Sequence, residues 1–404
     1  MNLIKINTPC GEVQGESLET YNVFRGIRYA NAERFERPIQ VKNWVGLYDA
    51  TEFKTLCIQK WQFNDLKRSH YYEREFRENN NYTYDENSLF LNVYAPKKCE
   101  KAPVIICIHG GSFSTGTGIE KQFNGHTYCE RGIVFVAINY RLNLFGFMAS
   151  KEYGGNFGIY DQLCAIDWVI DNIASFGGDP DNITLMGQSA GAMSIQTIIN
   201  SPLLKPNIKR AIMQSGGGNM PFVFSPRPMK SSIEAWHRIF EKYTIDQLKT
   251  FPAEELFKVY HKAGMYGAYY TFPVIDKELV FNERYNYSIP TIIGTVEKDM
   301  SPKVLRYAVN KYAKKLDAAD TPCYVYLFKH SLPGDIIGTF HSCDLWYTMG
   351  GMGTNWRPFK DEDYRLMNEL HDRFANFIKG GDPNIKGQQD WNTYKTKEDI
   401  FIIK

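Results

Sequence analysis

Apolar and polar positions follow a repeated order along most of this chain: a short apolar run, a glycine-rich turn and a longer amphipathic segment. This rhythm begins near residue 89. Compact apolar runs are typical of strands in a sheet that is covered on both faces. Such runs predict strands at 89–96, 104–111, 133–140, 183–187, 210–216, 291–295 and 323–328.

Two amphipathic segments have the period of an α-helix. Within residues 158–178, apolar side chains recur at three- and four-residue steps, which places them on one helix face, and Gly177 ends the segment. A second helix is predicted over 362–379, ahead of Gly380. Helices that alternate with buried strands predict an α/β fold with a mainly parallel sheet.

Three stretches depart from this rhythm. Residues 1–60 predict short strands and turns, and the polar, aromatic stretch 61–88 predicts an exposed, mobile loop. Residues 225–285 are helical and aromatic, and we expect them to form a cap over the C-terminal edge of the sheet. No internal repeat or linker-like tract divides the chain, so we expect one domain over residues 1–404 with this cap inserted in it.

Composition narrows the classes of protein to which the chain can belong. Of its 404 residues, 43% are hydrophobic and 23% are charged, which is typical of a globular protein. A formal net charge of +2 argues against a dedicated nucleic-acid binder, because such proteins neutralise phosphates. The longest apolar stretches fall far short of the roughly 20 residues that a membrane-spanning helix needs, so no membrane partner is expected.

The cysteines and the first residues bear on location. None of the eight cysteines forms a CxxC pair, and no cysteine–histidine cluster has the spacing of zinc ligands, so no metal site is predicted. The first dozen residues lack the apolar core of a secretory signal peptide. We therefore expect free thiols in a reducing cytoplasm.

Two motifs carry candidate chemistry. GQSAGA (187–192) lies between a predicted strand and a helix-like segment, the setting in which a sharp turn lifts a serine hydroxyl above a sheet. HGGSF (109–113) ends another strand, and its glycines free backbone N–H groups to point at a developing negative charge. Loops of this type accompany such serine turns. Together they predict a nucleophile at Ser189; the alternative is a pair of structural turns.

At this point the chain resembles a known family. ENSLFLNVYAP (86–96), NYRLNLFGF (139–147), FGGDPDNITLMGQSAGA (176–192) and FHSCDLWY (340–347) are similar to segments of the type B carboxylesterase/cholinesterase-like family. The matches run nearly from end to end. The resemblance implies an α/β-hydrolase fold, with a mainly parallel central sheet flanked by helices. It also implies an ester hydrolase with a Ser–acid–His triad and no cofactor.

Carried over residue by residue, the resemblance implies a nucleophile at Ser189 and an oxyanion hole made by the backbone N–H groups of Gly111, Ser112 and Ala190. Relatives usually have a third glycine where Ser112 stands, which matters only if that backbone needs a positive φ. Gln188 stands where many relatives have Glu. The missing carboxylate should weaken any attraction for cationic esters.

The base can be argued from chain order, because in this fold the acid precedes the histidine. His330, His341 and His371 then remain. His341 lies in an irregular segment of the kind that carries a triad base, and its surroundings also match the family. His330 could cap the strand at 323–328, and His371 lies inside the terminal helix.

The acid follows the strand predicted at 291–295, where Glu297 and Asp299 are available. Counting from Gly294, the resemblance implies Asp299, with Glu297 as the alternative. A carboxylate here holds the imidazole tautomer and stabilises the imidazolium.

Other matches to the family imply supporting roles. Arg141 with Asp161, and Arg34 with Glu86, match ion pairs that pin loops in relatives. Ser215 matches a serine that supports the triad acid.

Two departures separate the chain from long, secreted members of the family. Cys57 aligns with one half of a disulfide, but Ser88 stands at the partner position, which agrees with a cytoplasmic location. Only 42 residues separate Asp299 from His341. We therefore expect a reduced cap, with either a barer wall of the site or a mouth covered by another subunit of a homo-oligomer.

These observations predict a serine carboxylic ester hydrolase whose partner is a small-molecule ester. Aromatic residues within 71–84 and 265–272, with Trp346 close to the histidine, favour short-chain or aryl esters; the same aromatics could instead pack the cap. A lipase or peptidase of the same fold and a catalytically silent binding homologue are the alternatives.

Overall fold

The computed structural model describes residues 2–59, 72, 74–77, 82–218, 225–282 and 284–404. Its centre is a mixed sheet of twelve strands, and two short strand pairs lie outside it. The strands are β1 (Leu3–Thr8), β2 (Gly11–Ser17), β3 (Tyr21–Arg28), β4 (Ala30–Asn31), β5 (Ile39–Gln40), β6 (Tyr48–Asp49), β7 (Phe90–Pro96), β8 (Ala102–Ile108), β9 (Val134–Ile138), β10 (Gly178–Gln188), β11 (Ile208–Gln214), β12 (Arg227–Pro228), β13 (Val274–Ile275), β14 (Thr291–Val296), β15 (Cys323–Phe328) and β16 (Phe401–Ile403).

Helices cover both faces of this sheet. Those described are α1 (His126–Cys129), α2 (Asn143–Phe147), α3 (Phe157–Asn172), α4 (Ala190–Asn200), α5 (Met229–Ile239), α6 (Ile245–Thr250), α7 (Ala253–Lys262), α8 (Gly264–Tyr270), α9 (Pro302–Asp317), α10 (Leu345–Met349) and α11 (Asp361–Gly380). Among them, none combines the length and the apolar character that crossing a membrane requires.

The order of strands in the sheet is β1-β2-β3-β7-β9-β8-β10-β11-β14-β15-β16, with β6 paired to β2. The strands from β9 to β16 in this order run parallel, whereas β1, β2, β3 and β7 form an antiparallel edge. The predicted mainly parallel α/β sheet is confirmed.

The central strands are apolar on both sides because each side meets a different layer. On β8, Val104 and Ile106 pack into the cluster that contains the apolar faces of α3 and α4. The alternate residues, Ile105 and Cys107, pack into the cluster of α11. Side chains of a strand alternate between faces, so a strand covered twice reads as a continuous apolar run.

Helix α3 agrees with its predicted position but is buried more completely than one apolar face requires. Besides Ile159 and Ile166, the structure buries Asp161. Its carboxylate lies 2.7 Å and 2.8 Å from two guanidinium nitrogens of Arg141, which is also buried. A buried charge needs a hydrogen-bonded partner, and this pair supplies it while fixing the chain after β9.

Residues 225–285 contain α5 to α8 and the short β12–β13 pair. Arg34, which is paired with Glu86, also donates to the carbonyl oxygens of Leu248 and Phe251 at 2.6 Å and 2.7 Å. This side chain therefore ties the helical segment to the N-terminal part of the chain.

The prediction of an exposed loop over 61–88 is wrong for part of that stretch. Residues 75–77 are buried. Residues 60–71, 73 and 78–81 lie outside the described residues.

Residues 75–77 are buried because the carboxylate of Glu75 accepts hydrogen bonds from several donors in the C-terminal part of the chain. Glu75 accepts hydrogen bonds from the indole nitrogens of Trp346 and Trp356 at 2.8 Å and 3.1 Å, and from Arg357 at 2.7 Å. Phe76 stacks on Trp346 with ring centroids 5.1 Å apart. A polar residue in this stretch is thus buried because its hydrogen-bond partners lie almost three hundred positions later in the chain.

Candidate active site

Ser189 occupies the turn between β10, which ends at Gln188, and α4, which begins at Ala190. Its φ of 55° and ψ of −123° lie in a region that residues other than glycine rarely adopt, at a cost of about 1–3 kcal/mol. A Cβ at Gly191 would lie 2.0 Å from the carbonyl oxygen of Ile108, and one at Gly187 would lie 2.8 Å from the same atom. Both glycines are therefore required by close backbone contact.

The HGGSF segment follows β8 and has an unusual backbone. Gly111, Ser112 and Phe113 all have positive φ, at 114°, 54° and 58°. Ser112 therefore occupies a conformation that favours glycine, which is the condition under which its departure from the family pattern matters. A Cβ at Gly111 would lie 2.0 Å from the carbonyl oxygen of Thr115, so this position accepts no other residue without rearrangement.

Hydrogen bonds hold this loop from below. Tyr140 donates to the carbonyl oxygen of His109 at 2.9 Å and stacks on its ring, and Asn143 N–H donates to that of Phe113 at 2.7 Å. Burial lowers the pKa of His109 to about 4, so this ring is neutral at ordinary pH. The loop is therefore fixed without placing a charge beneath it.

The three N–H groups that the resemblance assigns to the oxyanion hole remain unused. Within the described part of the chain, the N–H groups of Gly111, Ser112 and Ala190 donate to no other group. Ala190 opens α4, and the first N–H groups of a helix have no partner within it. These donors are thus available to a ligand beside Ser189.

The structure brings His341 and Asp299 together. The Nδ1 atom of His341 lies 2.5 Å from Oδ1 of Asp299. Asp299 lies in the turn after β14, where Val296 N–H donates to its Oδ2 at 3.1 Å and Met300 N–H to its Oδ1 at 2.8 Å. The residue as a whole is 7% exposed, and its side chain is fully buried.

Asp299 is charged despite its burial. Burial opposes ionisation, but the hydrogen bond and charge of His341, the nearby Ser215 hydroxyl and the N–H of Val296 together outweigh it. They hold the pKa of Asp299 below its ordinary value. Ser215 thus lies where the family resemblance places a supporting serine.

The alternative site residues lie elsewhere. The side chain of Glu297 is 42% exposed and faces Lys329 at 3.6 Å. His330 bonds Asp363 of α11 at 2.8 Å. His371 is buried, and its burial lowers the pKa of the ring to about 3.

The sequence does not predict two residues that lie close to the His341 imidazole. Nε2 of His341 lies 3.1 Å from the side-chain amide nitrogen of Gln188, a residue noted only for the charge it lacks. Asp344 is buried at the start of α10, where Tyr326 donates to its Oδ2 at 2.7 Å. Its position three residues after His341, inside an otherwise apolar run, is the signal that could have found it.

The helical segment 225–285 reaches the site through aromatic residues. Phe272 packs edge-on against Phe113 with centroids 5.2 Å apart, and Tyr260 lies 3.2 Å from the Ser114 hydroxyl. Trp346, in contrast, is fully buried against Phe76, so it forms no wall of the site.

A cavity of about 600 Å³ lies beside this contact. Phe113, Met193, Phe272, Tyr307 and Lys311 are among the residues that line it. Ser189 and His341 are not among the described residues that line this cavity. Met193 does line it, and this residue lies one helical turn after Ser189. No group of histidine, cysteine or acidic residues in the described ranges is arranged to hold a metal ion.

Comparison with known proteins extends this description. A model of the carboxylesterase family matches residues 3–315 and 300–403. The chain is 31% identical to the para-nitrobenzyl esterase of Bacillus subtilis over 98% of this chain and 94% of the relative. It is 35% identical to the acetylcholinesterase of Leptinotarsa decemlineata over 98% of this chain and 82% of that protein.

Solved structures show the same architecture. A para-nitrobenzyl esterase structure superposes with a TM-score of 0.85 at 24% identity, over 96% of this chain and 93% of the other. A carboxylesterase of Geobacillus stearothermophilus superposes with a TM-score of 0.81 at 26% identity, over 98% and 94%. The α/β-hydrolase fold implied by the sequence is therefore confirmed.

Ionisation of Asp344 should make the free energy of unfolding depend on pH. The variant Asp344→Asn should lose this part of the pH dependence. Burial raises the pKa of Asp344 to about 6, above its value in an unfolded chain. A carboxyl with a raised pKa stabilises the fold below its unfolded pKa and loses this contribution as pH rises through the folded pKa. We expect the unfolding free energy of Asp344→Asn relative to wild type to rise by about 2 kcal/mol between pH 4 and pH 7.

Urea unfolding at both pH values measures this difference. Asp320→Asn removes the same charge from an exposed position with φ of 53°, which Asn tolerates, and should show no such pH dependence. A constant difference between Asp344→Asn and wild type across this range would contradict the expectation.

Proposed function

Because this chain belongs to the carboxylesterase family and is an enzyme that hydrolyses carboxylic esters, we propose that Ser189, His341 and Asp299 form its catalytic triad. The observation that carries this proposal is the 2.5 Å contact between Asp299 and His341 Nδ1. It is supported by the position of Ser189 on a strained turn directly after Gln188, whose side-chain amide lies 3.1 Å from Nε2 of His341. Because the chain is an enzyme that hydrolyses carboxylic esters, the alternative of a catalytically silent binding homologue is excluded.

In the first step, His341 accepts the hydroxyl proton of Ser189 as Oγ attacks the ester carbonyl. Asp299 holds the proton of the neutral ring on Nδ1, so the lone pair that accepts the proton of the nucleophile is on Nε2. As the ring becomes an imidazolium, the adjacent carboxylate stabilises its charge. His341 then gives this proton to the leaving alcohol, and the acyl group stays on Ser189.

The negative charge that develops on the carbonyl oxygen needs donors that are already in place. The N–H groups of Gly111, Ser112 and Ala190 are unused in the described structure, and strained backbone on both sides holds them. Preorganised donors of this type contribute about 3–4 kcal/mol each to transition-state stabilisation. Water then repeats the sequence on the acyl-enzyme and releases the acid.

For the substrate, we propose short-chain or aryl esters. Gln188 is neutral, and His109 beneath the oxyanion loop is neutral too, so neither gives the site a charge for a cationic head group. The cavity next to Phe113 is lined by Phe113 and Phe272, whose rings offer an apolar surface to an acyl chain or an aromatic ring. A lipase-like or peptidase-like preference is an outcome of the test below.

For location and assembly, we propose a cytoplasmic protein that acts on small esters, alone or as a homo-oligomer. All eight cysteines are free, and burial raises the pKa of Cys57 to about 12. Ser88 stands where a disulfide partner would be required. Cell fractionation and light scattering test the two statements.

Ser189→Ala should abolish turnover while the fold survives. The change removes the attacking oxygen but leaves the oxyanion donors, so only a small residual rate is expected. Hydrolysis of p-nitrophenyl acetate measures the loss, and circular dichroism checks the fold. Ser288→Ala, at an exposed serine, is the control. Labelling by a fluorophosphonate at any serine other than Ser189 would refute the nucleophile.

Asp299→Asn should cost far more activity than Glu297→Gln. An amide beside Nδ1 favours the wrong imidazole tautomer, which in a related triad lowers the rate by about 10⁴. Glu297 is half exposed and faces Lys329, so its loss should change kcat/KM little. Similar losses in both variants would overturn the choice of acid.

The chain should prefer short-chain or aryl esters over long-chain and choline esters. We expect kcat/KM for p-nitrophenyl acetate, butyrate, octanoate and palmitate to peak at a short chain, with ethyl ferulate accepted and butyrylcholine poor. A maximum at palmitate would indicate a lipase, and a clear preference for butyrylcholine would contradict the argument from the neutral Gln188.

A further inference from the structure

The side chain of Gln188 lies between the candidate base and the oxyanion loop. It is 2% exposed, and its amide nitrogen lies 3.1 Å from Nε2 of His341. Its amide oxygen faces the oxyanion loop so closely that a Cβ at Gly110 would lie 2.9 Å from it. Gln188 thus contacts both halves of the machinery without being the nucleophile, the base or an oxyanion donor.

The direction of this hydrogen bond follows from its neighbour. Asp299 is ionised and can only accept, so Nδ1 of His341 carries the proton in the bond between them. The neutral ring then has a lone pair on Nε2. The Gln188 amide can therefore only be the donor to Nε2.

The hydrogen bond from Gln188 is made to Nε2 of His341, the atom that must accept the proton of Ser189 in the first chemical step. The lone pair that must accept the Ser189 proton is bonded to Gln188, and Ser189 Oγ has no hydrogen-bond partner within the described residues. A donor aimed at a lone pair stabilises the neutral form of a base and opposes its protonation. A carboxylate at the same place would do the opposite.

We propose that Gln188 is a positioning residue that bonds the lone pair on Nε2 of His341 in the resting enzyme and releases this lone pair to Ser189 when an ester binds. The inference rests on the proposed triad. It assigns the amide of Gln188 a role in setting the pH range of catalysis, besides the absence of charge that the sequence indicates.

The other charged groups around the ring are Asp299 from the turn after β14 and Asp344 at the start of α10. Arg357 packs on the ring of Phe340, next to His341, and is itself paired with Glu75 and Asp335. All of these stay in place when only Gln188 is changed, so a shift in pH dependence reports on that side chain.

Gln188→Glu is the first variant. It places an acceptor and a negative charge against Nε2, so the acidic limb of the profile of kcat/KM against pH should move up by about one pH unit. On that limb, kcat/KM should fall about tenfold relative to wild type. Gln247→Glu adds the same charge at an exposed position in the capping box of α6, where Glu serves as well as Gln, and should leave the profile unchanged.

Gln188→Met is the second variant, and it separates positioning from space filling. Methionine has a similar length but no donor. The acidic limb should move in the same direction as in Gln188→Glu, by a smaller amount. If Gln188→Met keeps the wild-type limb, the amide only fills space and the proposal is wrong.

The rate of Ser189 labelling by a fluorophosphonate, followed against pH without substrate, gives an independent readout. Failure of wild-type enzyme to label at Ser189 would refute the proposed function itself. Labelling of Ser189 with the same pH dependence in wild type, Gln188→Glu and Gln188→Met would refute only the role of Gln188. Thermal unfolding confirms that each variant folds; if Gln188→Glu does not, Gln188→Met decides.

Discussion

The close approach of strand β8 to the turn after β10 is the constraint on which the site depends. Backbone atoms of Ile108 lie so near Gly187 and Gly191 that neither position has room for a Cβ. The same strand continues into the loop that carries Gly111. One contact between two neighbouring parallel strands therefore sets the Ser189 turn beside the loop that carries Gly111, using the backbone alone.

Two buried carboxylates near one imidazole behave differently because their surroundings differ. Asp299 receives hydrogen bonds from His341 and two backbone N–H groups, which hold its pKa down against the effect of burial. Asp344 is more deeply buried and has fewer donors, so burial dominates and its pKa rises. Environments that push two pKa values apart are a common way to give one charge a defined task. Below about pH 6, the charge next to the imidazole is therefore confined to Asp299.

Two further side chains near the site, Gln188 and His109, are neutral. Gln188 contacts Nε2 with an amide, and His109 is kept neutral by burial below the oxyanion loop. The negative charge that forms during ester hydrolysis therefore meets N–H donors with no competing carboxylate from Gln188. This absence of charge is the basis of the proposed preference for neutral over cationic esters.

The sequence by itself predicted the central strands, the helix over 158–178, the terminal helix and the serine turn, because apolar periodicity and glycine positions act over a few residues. It did not predict helix α9 or strand β16. It left Asp299 and Glu297 open as the acid until the family resemblance was added, and it misjudged the burial of Glu75. Only the tertiary structure shows that Asp299, and not Glu297, contacts His341, and that Glu75 is buried. It also shows the positive φ of Ser112 and the contact of Gln188 with His341. Each depends on which side chains or backbone atoms meet across segments distant in the chain, and that is set by packing and the need to pair buried charges.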